Sequence, residues 1–106
     1  MKESHEGIRK HKLMPESIRK KIPKLYSQEG NKDPTVYVKF FSPYSNYTWY
    51  ITEFDGEDTM FGYTIGQEKE WGYISLSELA SANRNGLPLV ERDKYFSQTK
   101  FSKIRE

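Results

Sequence analysis

The dipeptide Asp55-Gly56, set inside "TWYITEFDGEDTMFGYTIG", constrains the fold of this chain more than any other feature. Both central positions of a type I′ turn need positive φ, which Gly adopts freely and Asp tolerates, so the pair predicts a tight hairpin turn. On its N-terminal side, "YTWYITEF" alternates Tyr47, Trp49, Ile51 and Glu53 against Thr48, Tyr50, Thr52 and Phe54, which is the period of a strand. A strand from about Asp58 to Ile65 then runs back beside it. "TVYVKFF" sets Val36, Val38 and Phe40 against Tyr37, Lys39 and Phe41 and forms a hairpin with the next strand across "SPYSN". "WGYISL", after the turn "GQEKEWG", supplies a fourth strand.

Two segments read as helices. In "LMPESIRKKIPKLY", Pro15 suits the first turn, Glu16 complements the helix dipole, and Ile18, Ile22 and Leu25 fall at i, i+4 and i+7. Pro23 disfavours helical geometry at Ile22, so this helix is short. In "SLSELASANRNG", Ser75 and Glu78 have capping-box spacing, Leu76, Leu79 and Ala80 form an apolar stripe, and Gly86 with Pro88 marks the stop. "LPLVERDKYF" reads as an edge strand or an extended segment, with the alternating charges of Glu91, Arg92, Asp93 and Lys94 forming ion pairs on a surface or with the N-terminal helix. The expected fold is α+β: a small antiparallel sheet of three to five strands with two short helices. The expected organisation is a flexible basic arm over residues 1–12, a single domain over 13–97, and a fraying tail over 98–106 that carries Lys100, Lys103 and Arg105.

At 106 residues the chain has room for one core, and eight Tyr, six Phe and two Trp must supply much of it. The absence of cysteine excludes disulfides, thiolate zinc sites and a cysteine nucleophile. Together with an N-terminus that has charges but no hydrophobic segment behind them, it leads to the expectation of a cytoplasmic protein with no membrane partner and no cofactor. His5 and His11 have no third ligand in view for zinc and no partner for a nucleophile.

Charge is distributed unevenly. Residues 1–26 hold eight Lys or Arg against three acids, whereas seven acids and only Lys69 lie between Glu53 and Glu78. The acids Glu53, Asp55, Glu57 and Asp58 crowd the predicted hairpin, with Glu53 and Asp58 expected across the ladder from one another. They read as a solvated turn or a partner-facing surface. A metal site on Glu53, Asp55 and Asp58 is geometrically possible, yet the spacing departs from the calcium-loop pattern. Arg19, Lys20, Lys21 and Lys24 suit either a phosphate footprint or a solvated helix face. Trp49, Tyr50, Phe61, Tyr63, Trp71 and Tyr73 suit either a base-stacking platform or a buried sheet face, and the nearby acids favour core.

Taken in order, "LMPESIRKKIPKLY", "DPTVYVKFF", "TWYITEFDGED", "FGYTIG", "WGYISLSEL" and "LVERDKYF" resemble a bacterial family known as domain of unknown function 2958, over about Leu13 to Phe96. Ile74 and Val90 stand where the pattern leads one to expect an aromatic residue and an isoleucine. The resemblance implies a small protein of plasmids, conjugative elements and phages, and it brings no catalytic residues.

Three functions follow as expectations. The first is a non-enzymatic interaction protein of a mobile element that binds and inhibits a nucleic-acid enzyme, such as a host defence nuclease complex, in an anti-restriction or anti-CRISPR manner. Its contact surface would be Glu53, Asp55, Glu57, Asp58, Glu68 and Glu70 set against a basic channel. The second is a single-stranded nucleic-acid-binding module using Arg19, Lys20, Lys21 and Lys24. The third is a metal-dependent hydrolase on Glu53, Asp55 and Asp58.

Overall fold

In the computed structural model, which describes residues 3–9 and 11–104, the chain is an α+β fold dominated by one five-stranded antiparallel sheet. Its strands are β2 (Val38–Phe41), β3 (Thr48–Phe54), β4 (Thr59–Ile65), β5 (Lys69–Ser75) and β8 (Glu91–Arg92), in the order β5-β4-β3-β2-β8. Two small ladders flank it. β1 (Thr35–Val36) pairs with β9 (Thr99–Lys100), and β6 (Asn83–Arg84) pairs with β7 (Leu87–Pro88). The helices are α1 (Glu6–Arg9), α2 (Glu16–Arg19) and α3 (Leu76–Ser81), followed late in the chain by a 3-10 turn at Phe101–Lys103. Among the described residues there are therefore three short α-helices, the two expected and α1 in addition. Among the described residues no helix is long and apolar enough to cross a membrane.

The predicted "TVYVKFF" strand breaks at Tyr37, whose N–H turns to the carbonyl of Ile51. Its alternation still holds, with Val36, Val38 and Phe40 buried. α3 has the predicted cap, the Ser75 hydroxyl accepting from the Glu78 N–H at 3.2 Å, and it buries Leu76, Leu79 and Ala80. α2 is only four residues long, ending before Ile22, which is nonetheless buried. The apolar core joins Leu13, Met14 and Ile22 to Val38, Phe40, Ile51, Phe54, Met60 and Ile74 on one face of the sheet, with Leu76, Leu79, Ala80 and Val90 closing it.

A β-bulge between Ile51 and Glu53 decides what the other face carries. Strict alternation would put Glu53 beside Ile51, facing the core. The extra residue, Thr52, exchanges the faces: Phe54 pairs with Met60 and enters the core, while Glu53 pairs with Phe61 and faces away. At the bulge β4 approaches so closely that a Cβ on Gly62 would lie 2.1 Å from the Tyr50 carbonyl oxygen, so glycine alone fits there.

The turn chemistry also differs from expectation. Gly56 has φ +89°, but Asp55 keeps a negative φ, so the β3–β4 connection is not a type I′ turn. Asp55 Oδ1 instead accepts the N–H groups of Glu57, Asp58 and Thr59 at 2.8, 2.9 and 3.1 Å, bracing a wider loop. Both central residues have positive φ at Asn85 and Gly86, which close the β6–β7 hairpin where a helix stop was expected.

Described residues near both ends of the chain dock, where little burial was expected of them. Near the N-terminus, Glu3 accepts from the Leu13 and Met14 N–H groups at 2.5 and 2.7 Å. The buried Arg9 donates to the carbonyls of Val90, Ala80 and Ser4 at 2.8, 3.0 and 3.1 Å and lies 3.9 Å from Glu3. Burial draws the Arg9 guanidinium below its ordinary pKa, and Glu3, Glu91 and Glu6 push back. Of the tail, β9 pairs with β1 and Phe101 packs on the sheet; Arg105 lies outside the described residues.

Candidate functional site

The face turned away from the core carries a row of aromatic side chains. The register sets Tyr50, Tyr63 and Trp71 side by side, and Glu53, Phe61 and Tyr73 beside them. Phe61 stacks on Trp71 with centroids 6.0 Å apart and meets Tyr73 edge-on at 5.2 Å; Phe101 packs against Trp71 at 4.8 Å and Tyr63 at 4.9 Å. Trp49 and Tyr50 are the members that suit the core reading, Trp49 against the apolar cluster and Tyr50 buried against Phe96. The others line a second surface, on which Trp71 is 39% and Tyr73 58% exposed.

The loop from Lys24 to Pro34 forms one wall of a cleft over this row. Glu53 pins it, its two carboxylate oxygens accepting from the Tyr26 and Gln28 N–H groups at 2.7 Å each. The Gln28 side chain then stitches the loop to the sheet: its amide donates to the Thr35 and Thr52 carbonyls at 3.0 and 2.9 Å, and its oxygen accepts from the Thr35 N–H at 2.7 Å. Tyr26 is held at φ +72°, a conformation rare for a bulky side chain, with its ring 62% exposed. The cleft, open on one side, has a volume of about 430 Å³ and is lined by Tyr26, Phe61, Trp71, Tyr73, Pro34 and the 28–32 loop, with Thr52 and Glu53 at its base.

Charge at the cleft is of mixed sign with a negative excess, from Glu29 and Glu53 against Lys32. The Tyr73 hydroxyl is held above its ordinary pKa by its hydrogen bond with Tyr26, by desolvation, and by the negative charges of Glu53 and Glu29. Asp33, at the loop's end, accepts from the Ser102 hydroxyl and N–H at 2.7 and 2.8 Å, and these bonds, with Lys100 and Lys103 nearby, keep its carboxyl below the usual range.

The six acids expected to form one contact surface are dispersed. Glu53 is only 5% exposed and serves the loop. Asp55 braces its own turn. Desolvation raises its pKa, yet its three N–H donors outweigh that and hold it low. Asp58 accepts from the Ser75 hydroxyl and the Ser77 N–H, both at 2.7 Å, and so fastens the start of α3; these bonds lower its pKa. Glu57 alone of the hairpin acids is exposed without a side-chain bond of this kind. Glu68 and Glu70 are exposed beside Tyr47 and Thr64 at the opposite end of β4, about 20 Å from the hairpin at the usual rise per strand residue. Nor do Glu53 and Asp58 face each other across the ladder, since Glu53 lies opposite Phe61. Among the described residues no group of three or more His, Asp or Glu side chains gathers as metal ligands would.

The basic residues are also divided. The Arg19 guanidinium lies 5.3 Å over the Phe54 ring and donates to the Gly56 carbonyl, so it serves the hairpin turn. Lys20, Lys21 and Lys24 are exposed. What sequence reasoning missed is the loop: Tyr26, Gln28 and Glu29 sit in "SQEGNKDP" or just before it, a segment whose Gly, Asn, Asp and Pro content signals only a turn.

No curated protein and no solved structure matches this chain at a significant level. A family profile does match, over residues 13–103, which takes in α2, the whole five-stranded sheet, the cleft and Phe101. The chain belongs to the family described as protein of unknown function (DUF2958).

Proposed function

We propose that this protein is a non-enzymatic interaction protein that grips a partner at the aromatic cleft. The partner in this reading is a nucleic-acid enzyme, bound in the setting of a mobile genetic element, where such contact would inhibit or modulate it. The observation that carries the reading is the exposure of Tyr26, Trp71 and Tyr73 around one cleft. Aromatic side chains supply large contact area at low entropic cost and are concentrated where partners bind. The polar groups at its base support binding rather than chemistry, because Glu53 and Gln28 are engaged with loop and strand backbone. The dispersed acids Asp55, Glu57, Glu68 and Glu70 are at most a polar rim to such a contact.

Affinity capture of the tagged protein from a host lysate, with nuclease added, tests this directly when run beside Trp71→Ala and Glu57→Gln. A stoichiometric protein retained by the parent and Glu57→Gln but lost by Trp71→Ala is the expected result. Retention that survives Trp71→Ala would place the contact elsewhere.

A second reading has one specific observation in its favour. Exposed Trp71 and Tyr73 on a sheet face are also suited to stacking on unpaired bases, each worth about 1–3 kcal/mol. This reading requires affinity for single strands that falls steeply with salt, carried by Lys32, Lys20, Lys21 and Lys24.

A further inference from the structure

Resting on the reading of the cleft as the binding site, we infer that its ligand is a cationic side chain, an arginine presented by the partner protein. Tyr26, Phe61, Trp71 and Tyr73 line the cleft, and aromatic rings attract cations through the ring quadrupole. Glu53 at the base is buried, its two oxygens accepting from two amide N–H groups. Glu29 on the loop adds a second carboxylate, against the single Lys32. With Glu53 at its base and Glu29 on its wall, the cleft offers a cation two carboxylates among aromatic rings.

The same balance of charge disfavours phosphate, which sets this ligand apart from a nucleic-acid strand. Arginine fits better than lysine because its guanidinium is flat, weakly hydrated and able to stack on a ring while donating to a carboxylate. The chain already uses this contact within itself, with Arg19 5.3 Å over Phe54. Nucleic-acid enzymes display arginines along the channels that hold phosphates, so the inferred ligand is one that the proposed partner carries.

The test is a chemical-shift titration of the isotope-labelled full chain with three probes: an arginine–glycine repeat peptide, its lysine–glycine counterpart, and single-stranded oligothymidylate. The arginine peptide should move the signals of Tyr26, Glu29, Glu53, Phe61, Trp71 and Tyr73 at lower concentration than the lysine peptide does. Glu29→Gln, an exposed loop change, should weaken it about five-fold, and Lys32→Gln should tighten it by a similar factor, as expected for cation contacts of this kind. Trp71→Ala should abolish it. Three results overturn the inference: no movement of cleft signals with the arginine peptide at millimolar concentration, indifference to Glu29→Gln and Lys32→Gln, or cleft signals that respond to oligothymidylate instead. The last leaves the cleft as a binding site while removing the cation, so it separates this inference from the reading beneath it.

Discussion

Replacing Glu53 by alanine strips two loop N–H groups of their acceptor at once, and this single change is expected to loosen the cleft wall more than any other at its base. Donors left without a partner on partial burial cost about 1–3 kcal/mol, so the midpoint of urea unfolding should fall while the amides of Tyr26 and Gln28 lose their protection from exchange. Unchanged stability would mean that the loop is held from elsewhere. The role of Glu53 is invisible to local pattern reading, which sees an acid two places before Asp-Gly and assigns it to a turn. Its partners lie 27 and 25 residues away, in a segment that carries only turn signals. Asp55 shows the opposite case: an acid at a turn is commonly a backbone acceptor, and Asp55 accepts three N–H groups of its own loop. Asp58 resembles Glu53, since the Ser75 and Ser77 groups it accepts from lie 17 and 19 residues away. Trp71 and Tyr73 stood out as candidates in the sequence, but the face they occupy was not legible from their own strand.

At the scale of elements, β2 and β3 were legible because they alternate, β4 and β5 because turns bound them, and α3 because Ser75 and Glu78 announce its start. The register between them was not. A bulge has no sequence signature as strong as alternation, so Thr52 reads as an ordinary strand residue and every assignment beyond it in β3 inverts. Gly62 offers the better clue, a glycine between Phe61 and Tyr63 in the middle of a strand, which marks a close backbone approach. Gly62→Ala is therefore expected to destabilise by about 1–3 kcal/mol through overpacking against the Tyr50 carbonyl, whereas Gly72→Ala, with open space at its Cβ, should be nearly neutral. Thermal unfolding of the two variants side by side makes the comparison. Equal effects would argue against the bulge geometry. Asp55-Gly56 and Asn85-Gly86 carry the same class of signal, and the structure gives the type I′ geometry to the second because the Asp55 side chain commits the first to a wider loop.

Considered as a whole molecule, the chain docks described residues near its two ends on different neighbours, Arg9 and His11 on α3 and the β8 region and Phe101 on the aromatic face. His11 joins the first of these to the sheet edge, its Nε2 accepting from the Arg92 N–H at 3.2 Å. Burial lowers its pKa, Arg92, Lys94 and Arg9 lower it further, and Glu91 opposes them. A group whose pKa is depressed on folding binds more protons when unfolded, so its contribution to stability is complete above the unfolded value near 6.5 and declines as pH falls through the window below it. Urea unfolding at successive pH values from 7.5 downward, about where His titrates and most carboxylates do not, should show a decline that His11→Gln reduces. A parallel decline in both proteins would assign it to other groups.

The sheet also separates the two indoles of the chain, one to each face. Trp49 packs against the apolar core, and Trp71 stands at the rim of the cleft with Phe61 and Phe101 against it. Anything that enters the cleft changes the surroundings of the second and leaves the first alone, whereas unfolding exposes both. In optical terms the protein carries a signal and its own internal reference, so occupancy and unfolding can be told apart in one emission spectrum without attaching a dye.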